Sequence, residues 1–132
     1  MGTFRRKKQL ARDVIHDILR LELLSSAAKY GWCVGRYVVM PDHLHLFCAA
    51  TDESEARPLQ TFVGKFKEWS AKRLHRELGL APPIWQPEFF DHVLRSNESY
   101  LEESHYVLEN PVRGGLVSRS EEWPFAGELS DL

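Results

Sequence analysis

The chain has 132 residues, 43% of them hydrophobic, and a formal net charge of −2. This length predicts a single domain over residues 1–132 that can bury its own core. A total charge this close to zero excludes a protein that coats nucleic acid through charge alone. No apolar run approaches the about 18 residues that a membrane span needs, and no apolar signal segment follows the basic N-terminal residues, so we expect a cytoplasmic protein without membrane contact.

The basic residues are clustered, although the total charge is nearly neutral. One cluster lies near the N-terminus and includes Arg5 and Lys8, and another lies in the middle of the chain and includes Lys65, Lys72 and Arg76. Clusters of this kind are typical of surfaces that contact nucleic-acid phosphates. The same residues are as often the solvated side of a helix, and both interpretations stay open.

Hydrophobic spacing in the first half of the chain predicts two helices with two strands between them. The first helix is expected over residues 4–29 and the second over residues 59–78, each followed by a glycine that can end it. Aromatic and β-branched residues predict a strand over residues 32–40, and a tight turn leads to a second strand over residues 43–49.

The second half of the chain is less regular. Residues 84–95 are rich in aromatics but contain Pro87, which predicts an irregular or edge strand. A third helix is expected after Ser96 and should end near Asn110, because the residue before Pro111 disfavours the helical conformation. Gly114, Gly115 and a polar tail finish the chain. This order of elements predicts an α+β fold in which helices pack on an antiparallel sheet.

The second predicted strand carries two histidines, His43 and His45, one residue apart. Residues i and i+2 of a strand point to the same face, so the two imidazoles should project together while Leu44 and Leu46 point into the core. Two neutral imidazoles side by side provide half of a metal site. For this pattern alone, two histidines on an exposed sheet face is an equally good interpretation.

The third predicted helix carries a tyrosine, Tyr106, on its polar side. At 100° per residue, Leu101, His105 and Leu108 share the expected core face, and Tyr106 lies about 140° away from Leu101. Asn110 follows one turn later and should point to the same place as Tyr106. A tyrosine on a polar face does not serve core packing, but an amphipathic surface tyrosine is common and remains an alternative.

Tyr106 could act as a nucleophile if a metal ion assists it. A phenol has a pKa near 10, so it needs help to attack at neutral pH, and a divalent ion that polarises a phosphodiester would supply that help. The amide oxygen of Asn110 could complete the ligand set of such an ion. Tyr100 is the competing nucleophile, although its position beside Val107 favours packing.

Three segments, in this order and spacing, resemble the single-tyrosine HUH transposases of the insertion-sequence two-hundred type. Within that family they are most similar to the REP-associated tyrosine transposases. The segments are Met40–Leu46 (MPDHLHL), Ile84–Gln86 with Phe89–Arg95 (IWQ and FFDHVLR), and Tyr106–Val117 (YVLENPVRGGLV). The likeness extends from about Leu10 to Phe125.

This resemblance implies a metal-dependent bacterial enzyme, associated with the nucleoid, that cleaves and rejoins single-stranded DNA flanked by hairpins. Tyr106 would form a covalent 5′-phosphotyrosine intermediate, and His43, His45 and Asn110 would hold Mg²⁺ or Mn²⁺. The candidates for contacts with the DNA backbone are Lys65, Lys72, Arg76, Arg5 and Lys8. A homodimer is compatible with the resemblance. Two alternatives stay open: a hairpin-binding relative without turnover, and a hydrolytic metal enzyme that uses water in place of Tyr106.

The resemblance also implies a ferredoxin-like antiparallel sheet with helices on one face. Family members usually begin with a strand that lies against the histidine strand, but only Met1–Phe4 precede the first predicted helix. We therefore expect that strand to be lacking. If no other segment takes its place, the histidine strand has an unpaired edge that a partner chain could cover. Asp42 stands where many members have asparagine, and either residue suits the turn.

Overall fold

The computed structural model describes residues 1–87 and 97–132, except for the side chains of residues 97 and 98. The helices of these parts are α1 (Asp13–Tyr30), α2 (Leu59–Leu78), α3 (Asn97–Leu108) and α4 (Asn110–Arg113), and the strands are β1 (Trp32–Met40), β2 (His43–Ala50) and β3 (Ala126–Glu128). Short 3₁₀ turns occur at Phe4–Arg6 and Ser120–Glu122. The predicted α+β class is confirmed, and no helix in the described ranges is long and apolar enough to cross a membrane.

The strands form an antiparallel sheet in the order β2-β1-β3. The register pairs Met40 with His43 and Val38 with His45, so a tight turn places the two histidines at the end of the sheet where β1 meets β2. β3 pairs with the other edge of β1, where Tyr37 lies opposite Gly127. The sequence does not predict β3, because three residues in a polar tail carry no strand pattern of their own.

The two faces of the sheet are covered by different helices. Leu44 of β2 belongs to the buried core that α1 and α2 form on one face, as the sequence predicts. Side chains alternate along a strand, so His43, His45 and Phe47 point to the opposite face. There the ring of Phe47 meets that of Tyr100 in α3 edge-on at 5.2 Å. The histidines and α3 therefore share one layer of the molecule.

The beginning of the first helix differs from the prediction. The sequence predicts a helix that starts near Phe4, but α1 starts at Asp13. Arg5 and Arg6 instead adopt the left-handed conformation, with φ of 55° and 53°. Leu10 is fully buried outside the helix and donates its backbone N–H to the Pro41 carbonyl at 2.9 Å. Leu10 fits the hydrophobic period of α1 because it is buried in the same core, although it is not part of the helix.

The segment Met1–Thr3 is extended and lies between the start of β2 and residues 84–86. Backbone bridges and hydrogen bonds join Gly2 to His43 and Gln86, Thr3 to Asp42 and Trp85, and Met1 to Leu44. No regular strand precedes β1 in the described residues, as expected. The extended segment Met1–Thr3 takes its place and covers His43 and Leu44, so the beginning of β2 is not an unpaired edge.

The face that α3 turns to the sheet also differs from the prediction. Leu101 is 58% exposed and His105 is exposed, whereas Ser104 is fully buried. Arg36 of β1 explains this rotation, because its backbone N–H donates to the Tyr100 hydroxyl at 3.3 Å and its guanidinium donates to the Ser104 hydroxyl at 3.2 Å. Polar contacts with β1, and not the apolar stripe, set the orientation of α3.

Candidate active site

His43 and His45 form the centre of the candidate site. Their rings meet edge-on with centroids 4.7 Å apart, as the prediction of a shared face requires. Both side chains are partly buried, so they are held by their surroundings and still reachable. The site lies beside the turn at Asp42, whose carboxylate accepts a hydrogen bond from His43 Nδ1 at 2.7 Å.

His45 has the protonation state that a metal ligand needs. Burial lowers its pKa to about 4, and the nearby charges of His43, the Met1 amine, Arg6 and Arg113 act in the same direction. The ring is therefore neutral at physiological pH, and a neutral imidazole is the form that binds a metal ion.

Two charged side chains, Asp42 and Arg6, lie next to His43. Arg6 Nε lies 3.3 Å from Asp42 Oδ2, while His43 Nδ1 contacts the other carboxylate oxygen, Oδ1. Burial alone would raise the pKa of Asp42, but the hydrogen bond from His43 and the charge of Arg6 outweigh it and lower that pKa. Asp42 is thus an anion at neutral pH, held between a ring N–H and a guanidinium.

Tyr106, Asn110 and Arg113 form a cluster at the junction of α3 and α4. Tyr106 is 61% exposed, and the Arg113 guanidinium lies over its ring, 3.7 Å from the centroid. The same guanidinium donates to the Tyr106 carbonyl at 2.7 Å and to Asn110 Oδ1. The exposed position of Tyr106 agrees with its predicted place on the polar side of the helix.

Two observations place this cluster next to the histidines. Burial is the main cause of the lowered pKa of His45, and the charge of Arg113 acts in the same direction. A Cβ added at Gly114 would be 3.7 Å from Met40 Cε, so the end of α4 lies against the residue paired with His43. These observations place the end of α4 beside Met40, at the turn that leads to His43.

Sequence reasoning did not assign a role to Arg6 or Arg113. A signal existed for Arg113, because it follows Asn110 by three residues and Tyr106 by seven, which are the spacings of one helical face. No local signal existed for Arg6, since its partner Asp42 is far away in sequence.

Tyr100 has a structural role in this arrangement. Its hydroxyl accepts the backbone N–H of Arg36, and its ring contacts Phe47. A Cβ added at Gly35 would come within 2.8 Å of the same hydroxyl, so the phenol group is enclosed. These contacts favour Tyr106 over Tyr100 as the group available to react.

The donor set suits a divalent ion if an amide oxygen takes part. Within residues 1–87 and 97–132, no group of three His, Cys, Asp or Glu side chains has the arrangement of a metal site. The sequence prediction uses two imidazoles and the Asn110 amide, and mixed nitrogen and oxygen ligands are compatible with Mn²⁺ or Mg²⁺. The Asn110 oxygen accepts from Arg113, and its second lone pair is left for an ion.

The predicted DNA contacts lie outside this cluster. All five side chains are partly or fully exposed: Lys65, Lys72 and Arg76 on α2, and Arg5 and Lys8 near the N-terminus. Glu68 lies between two of them, 3.4 Å from Lys65 Nζ and 3.1 Å from Lys72 Nζ. α2 belongs to the layer opposite the histidines, so its basic residues do not line the candidate site.

The aromatic-rich segment 84–95 is described only in part. Trp85 is buried and donates its indole N–H to Ser70 Oγ of α2 at 3.0 Å, so its ring serves packing. Phe89 and His92 lie outside the described residues.

The fold and site define an α+β protein that presents paired histidines and a helix-borne tyrosine on one face of an antiparallel sheet. The family described as "Transposase IS200 like" matches residues 1–108. The chain belongs to this family.

Individual relatives carry a more specific description. The chain is 29% identical over 111 residues to a REP-associated tyrosine transposase of Escherichia coli strain K12, a match that covers 84% of this chain and 63% of the relative. It is 26% identical over 134 residues to a putative REP-associated tyrosine transposase of Haemophilus influenzae, covering 96% of this chain and 76% of that protein. The chain thus spans less than two thirds of the length of its E. coli relative.

A solved structure shares the fold. It is described as a REP-associated tyrosine transposase bound to a REP hairpin, with a TM-score of 0.75 and 22% identity. The match covers 99% of this chain and 84% of that one. At this identity the likeness establishes the architecture of the chain.

Proposed function

We propose that the chain cleaves and rejoins single-stranded DNA next to hairpins through a covalent 5′-phosphotyrosine intermediate at Tyr106. The observation that carries this proposal is the cluster of the exposed Tyr106 with Asn110 and Arg113 at the junction of α3 and α4. The end of α4 lies against Met40, the residue paired with His43. Membership of the transposase family and a structural neighbour described as hairpin-bound support the choice of DNA as substrate.

We propose that His43, His45 and Asn110 hold Mg²⁺ or Mn²⁺. Such an ion supplies Lewis-acid polarisation and orientation of the scissile phosphate. The fit rests on the shared face and close approach of the two rings and on the neutral state of His45.

Tyr106 would act as the nucleophile. Its phenolic oxygen attacks phosphorus and loses its proton to solvent, the bond from phosphorus to the 3′ oxygen breaks, and the departing oxygen takes up a proton to become a free 3′-OH. The 5′ phosphate stays on the tyrosine, so the energy of the phosphodiester is kept in the covalent link. A second 3′-OH reverses these steps and joins the strands. Arg113, next to Tyr106, is placed to meet the charge that develops on the phosphate.

The basic side chains would hold the rest of the DNA. Lys65, Lys72, Arg76, Arg5 and Lys8 are exposed, and phosphate contacts position DNA without reading its sequence. Because α2 lies in the layer opposite the histidines, its residues would contact the hairpin away from the scissile phosphate.

We also propose that the chain acts as a homodimer. Mixing two inactive variants tests whether an active site combines residues of two chains. If Tyr106→Phe and His43→Ala chains regain an adduct when combined, the tyrosine of one chain acts at the histidines of the other. If the mixture stays inactive while each chain binds DNA, both groups act within one chain.

One observation favours a second candidate function, a hairpin-binding protein without turnover. The proposed third ligand, Asn110, already accepts a hydrogen bond from the guanidinium of Arg113, whose positive charge opposes a cation at the same oxygen. If this charge stays there when DNA is bound, metal binding is weakened and the protein binds without cleavage.

Incubation with single-stranded hairpin oligonucleotides and Mn²⁺, followed by a denaturing gel, separates these functions. We expect a protein–DNA adduct with the unaltered chain and with Tyr100→Phe, and none with Tyr106→Phe or His43→Ala. Hairpin binding without an adduct from the unaltered chain would contradict cleavage and favour the binding protein. Strand cleavage by Tyr106→Phe would point to water as the nucleophile.

A further inference from the structure

Asp42 contacts His43, one of the proposed metal ligands, at ring nitrogen Nδ1. Its Oδ1 lies 2.7 Å from His43 Nδ1, and its Oδ2 lies 3.3 Å from Arg6 Nε. Arg6 Nη2 also approaches His43 Nδ1, at the longer distance of 3.4 Å. Nδ1 of His43 is therefore approached by a hydrogen-bond acceptor, the Asp42 carboxylate, and by a group that can only donate, the Arg6 guanidinium.

The distances decide which ring nitrogen of a neutral His43 carries the proton. A carboxylate only accepts hydrogen bonds, so an oxygen 2.7 Å from Nδ1 requires a proton on Nδ1. The other tautomer would bring the Nδ1 lone pair against an anionic oxygen at that distance. The approach of Arg6 Nη2 to Nδ1 is then a contact and not a hydrogen bond, and Arg6 acts through Asp42.

The backbone conformation of the turn at Arg5 and Arg6 sets the position of the Arg6 side chain. Arg5 and Arg6 both have positive φ, which L side chains rarely adopt, and this turn directs Arg6 back over the start of β2. A Cβ added at Gly2 would lie 2.9 Å from Arg6 Nη1 and from Gln86 Cδ, so a side chain at Gly2 would displace one of them.

We propose that Asp42 is a positioning residue that fixes the orientation and Nδ1–H tautomer of His43, with Arg6 holding the carboxylate. Nε2 of His43 then carries the lone pair, which is the form of the ring nitrogen that binds a metal ion. A carboxylate that accepts from a ligating histidine raises the basicity of that ligand, and its loss typically weakens metal binding 10- to 100-fold. The predicted effect on metal binding rests on the proposed function, whereas the predicted tautomer of His43 does not.

The tautomer is measured first, on the metal-free chain at pH 8. Two-dimensional NMR of ¹⁵N-labelled histidine rings distinguishes a protonated ring nitrogen from one with a lone pair. We expect His43 in the Nδ1–H form in the unaltered chain and in Asp42→Asn, whose amide oxygen still accepts. In Asp42→Ala we expect a shift toward Nε2–H, the form that free imidazole side chains favour.

Glu77→Gln is the matched control, because it also removes a carboxylate that pairs with an arginine, Arg73, on the surface of α2. It should leave the His43 tautomer unchanged. An Nε2–H tautomer in the unaltered chain, or an unaltered tautomer in Asp42→Ala, would overturn the inference. Retained NMR dispersion elsewhere shows that each variant is folded.

A Mn²⁺ titration then separates this inference from the proposed function. Paramagnetic broadening of the His43 and His45 ring signals reports binding at the site. We expect Asp42→Ala to need about 10- to 100-fold more Mn²⁺ than the unaltered chain or Glu77→Gln. No broadening in the unaltered chain would refute the metal site of the proposed function and leave the tautomer result standing. Equal broadening in Asp42→Ala and Glu77→Gln would refute the role of Asp42 in metal binding.

Discussion

Arg113 is the residue through which the parts of the site interact. Its guanidinium covers the ring of Tyr106, holds the Asn110 oxygen and acts on His45 through its charge. A guanidinium is planar and presents several donors in a fixed geometry, so one side chain can make these contacts together. Its position beside the proposed nucleophile suits it to meet phosphate charge, as arginines commonly do.

We predict that Arg113→Ala lowers the single-turnover cleavage rate by about 100- to 1,000-fold, the usual cost of removing one charge-stabilising donor. Arg113→Lys should be intermediate, because it keeps the charge but not the planar set of donors. The measurement is the rate of adduct formation with saturating hairpin DNA. Arg119→Ala, which removes an exposed arginine near Glu121, should stay within about twofold of the unaltered chain. A similar rate for Arg113→Ala would contradict this role.

At the scale of elements, the short segments at the two ends of the chain complete the sheet around the site. Met1–Thr3 covers the start of β2, and β3 covers the edge of β1. β3 approaches the core closely, because a Cβ at Gly127 would lie 2.9 Å from the Tyr37 hydroxyl, which is bonded to His16 at 2.7 Å. Only glycine fits there without moving a buried ring.

Gly127→Ala should therefore destabilise the protein, by about 1–3 kcal/mol, which is typical of overpacking against a buried side chain. Chemical denaturation followed by circular dichroism measures this change. Gly64→Ala is the matched control: a Cβ there meets nothing within 4 Å. Since Gly64 lies inside α2, alanine should stabilise the helix by up to about 1 kcal/mol. Equal stability of the two variants would contradict the close approach of β3.

Local patterns sufficed for some elements and not for others. The bounds of α2 agree with the prediction because its apolar period and terminal glycine are both contained in the segment. The shared face of His43 and His45 follows in the same way from strand alternation. Met1–Thr3, β3 and the rotation of α3 could not be predicted, because each depends on a partner distant in sequence.

The same distinction applies to the site. The exposure of Tyr106 and its spacing to Asn110 are local properties of a helix, and the structure agrees with both. The contact between Arg6 and Asp42 depends on a turn in which Arg5 and Arg6 are left-handed. Glycine or asparagine would have indicated such a turn, but neither stands at these positions. Backbone strain of this kind has no signature in hydrophobic periodicity.

At the scale of the whole molecule, the net charge of −2 conceals an uneven distribution. Glu68 lies between Lys65 and Lys72 and offsets part of their charge. Arg76 is exposed on the same helix and has no ion pair within the parts of the chain that the structure describes. If this surface binds DNA, Arg76 should contribute more to binding than either lysine.

We predict that Arg76→Gln weakens hairpin binding and reduces the slope of log affinity against log salt by about 1, the effect of losing one phosphate contact. Lys72→Gln should change the slope less, and Glu68→Gln should strengthen binding by freeing both lysines. Fluorescence anisotropy at several salt concentrations gives these slopes. An unchanged slope in Arg76→Gln would exclude Arg76 from the DNA interface.

The central claim is that Tyr106 carries the covalent link to DNA, and mass spectrometry of the adduct tests it most directly. After reaction with a hairpin oligonucleotide and Mn²⁺, nuclease and trypsin digestion should leave a short nucleotide on the peptide of residues 96–113, which contains both Tyr100 and Tyr106. We predict that fragmentation places the added mass on Tyr106. Added mass on Tyr100 would contradict the account, because that hydroxyl would have to leave its bond with Arg36 to react.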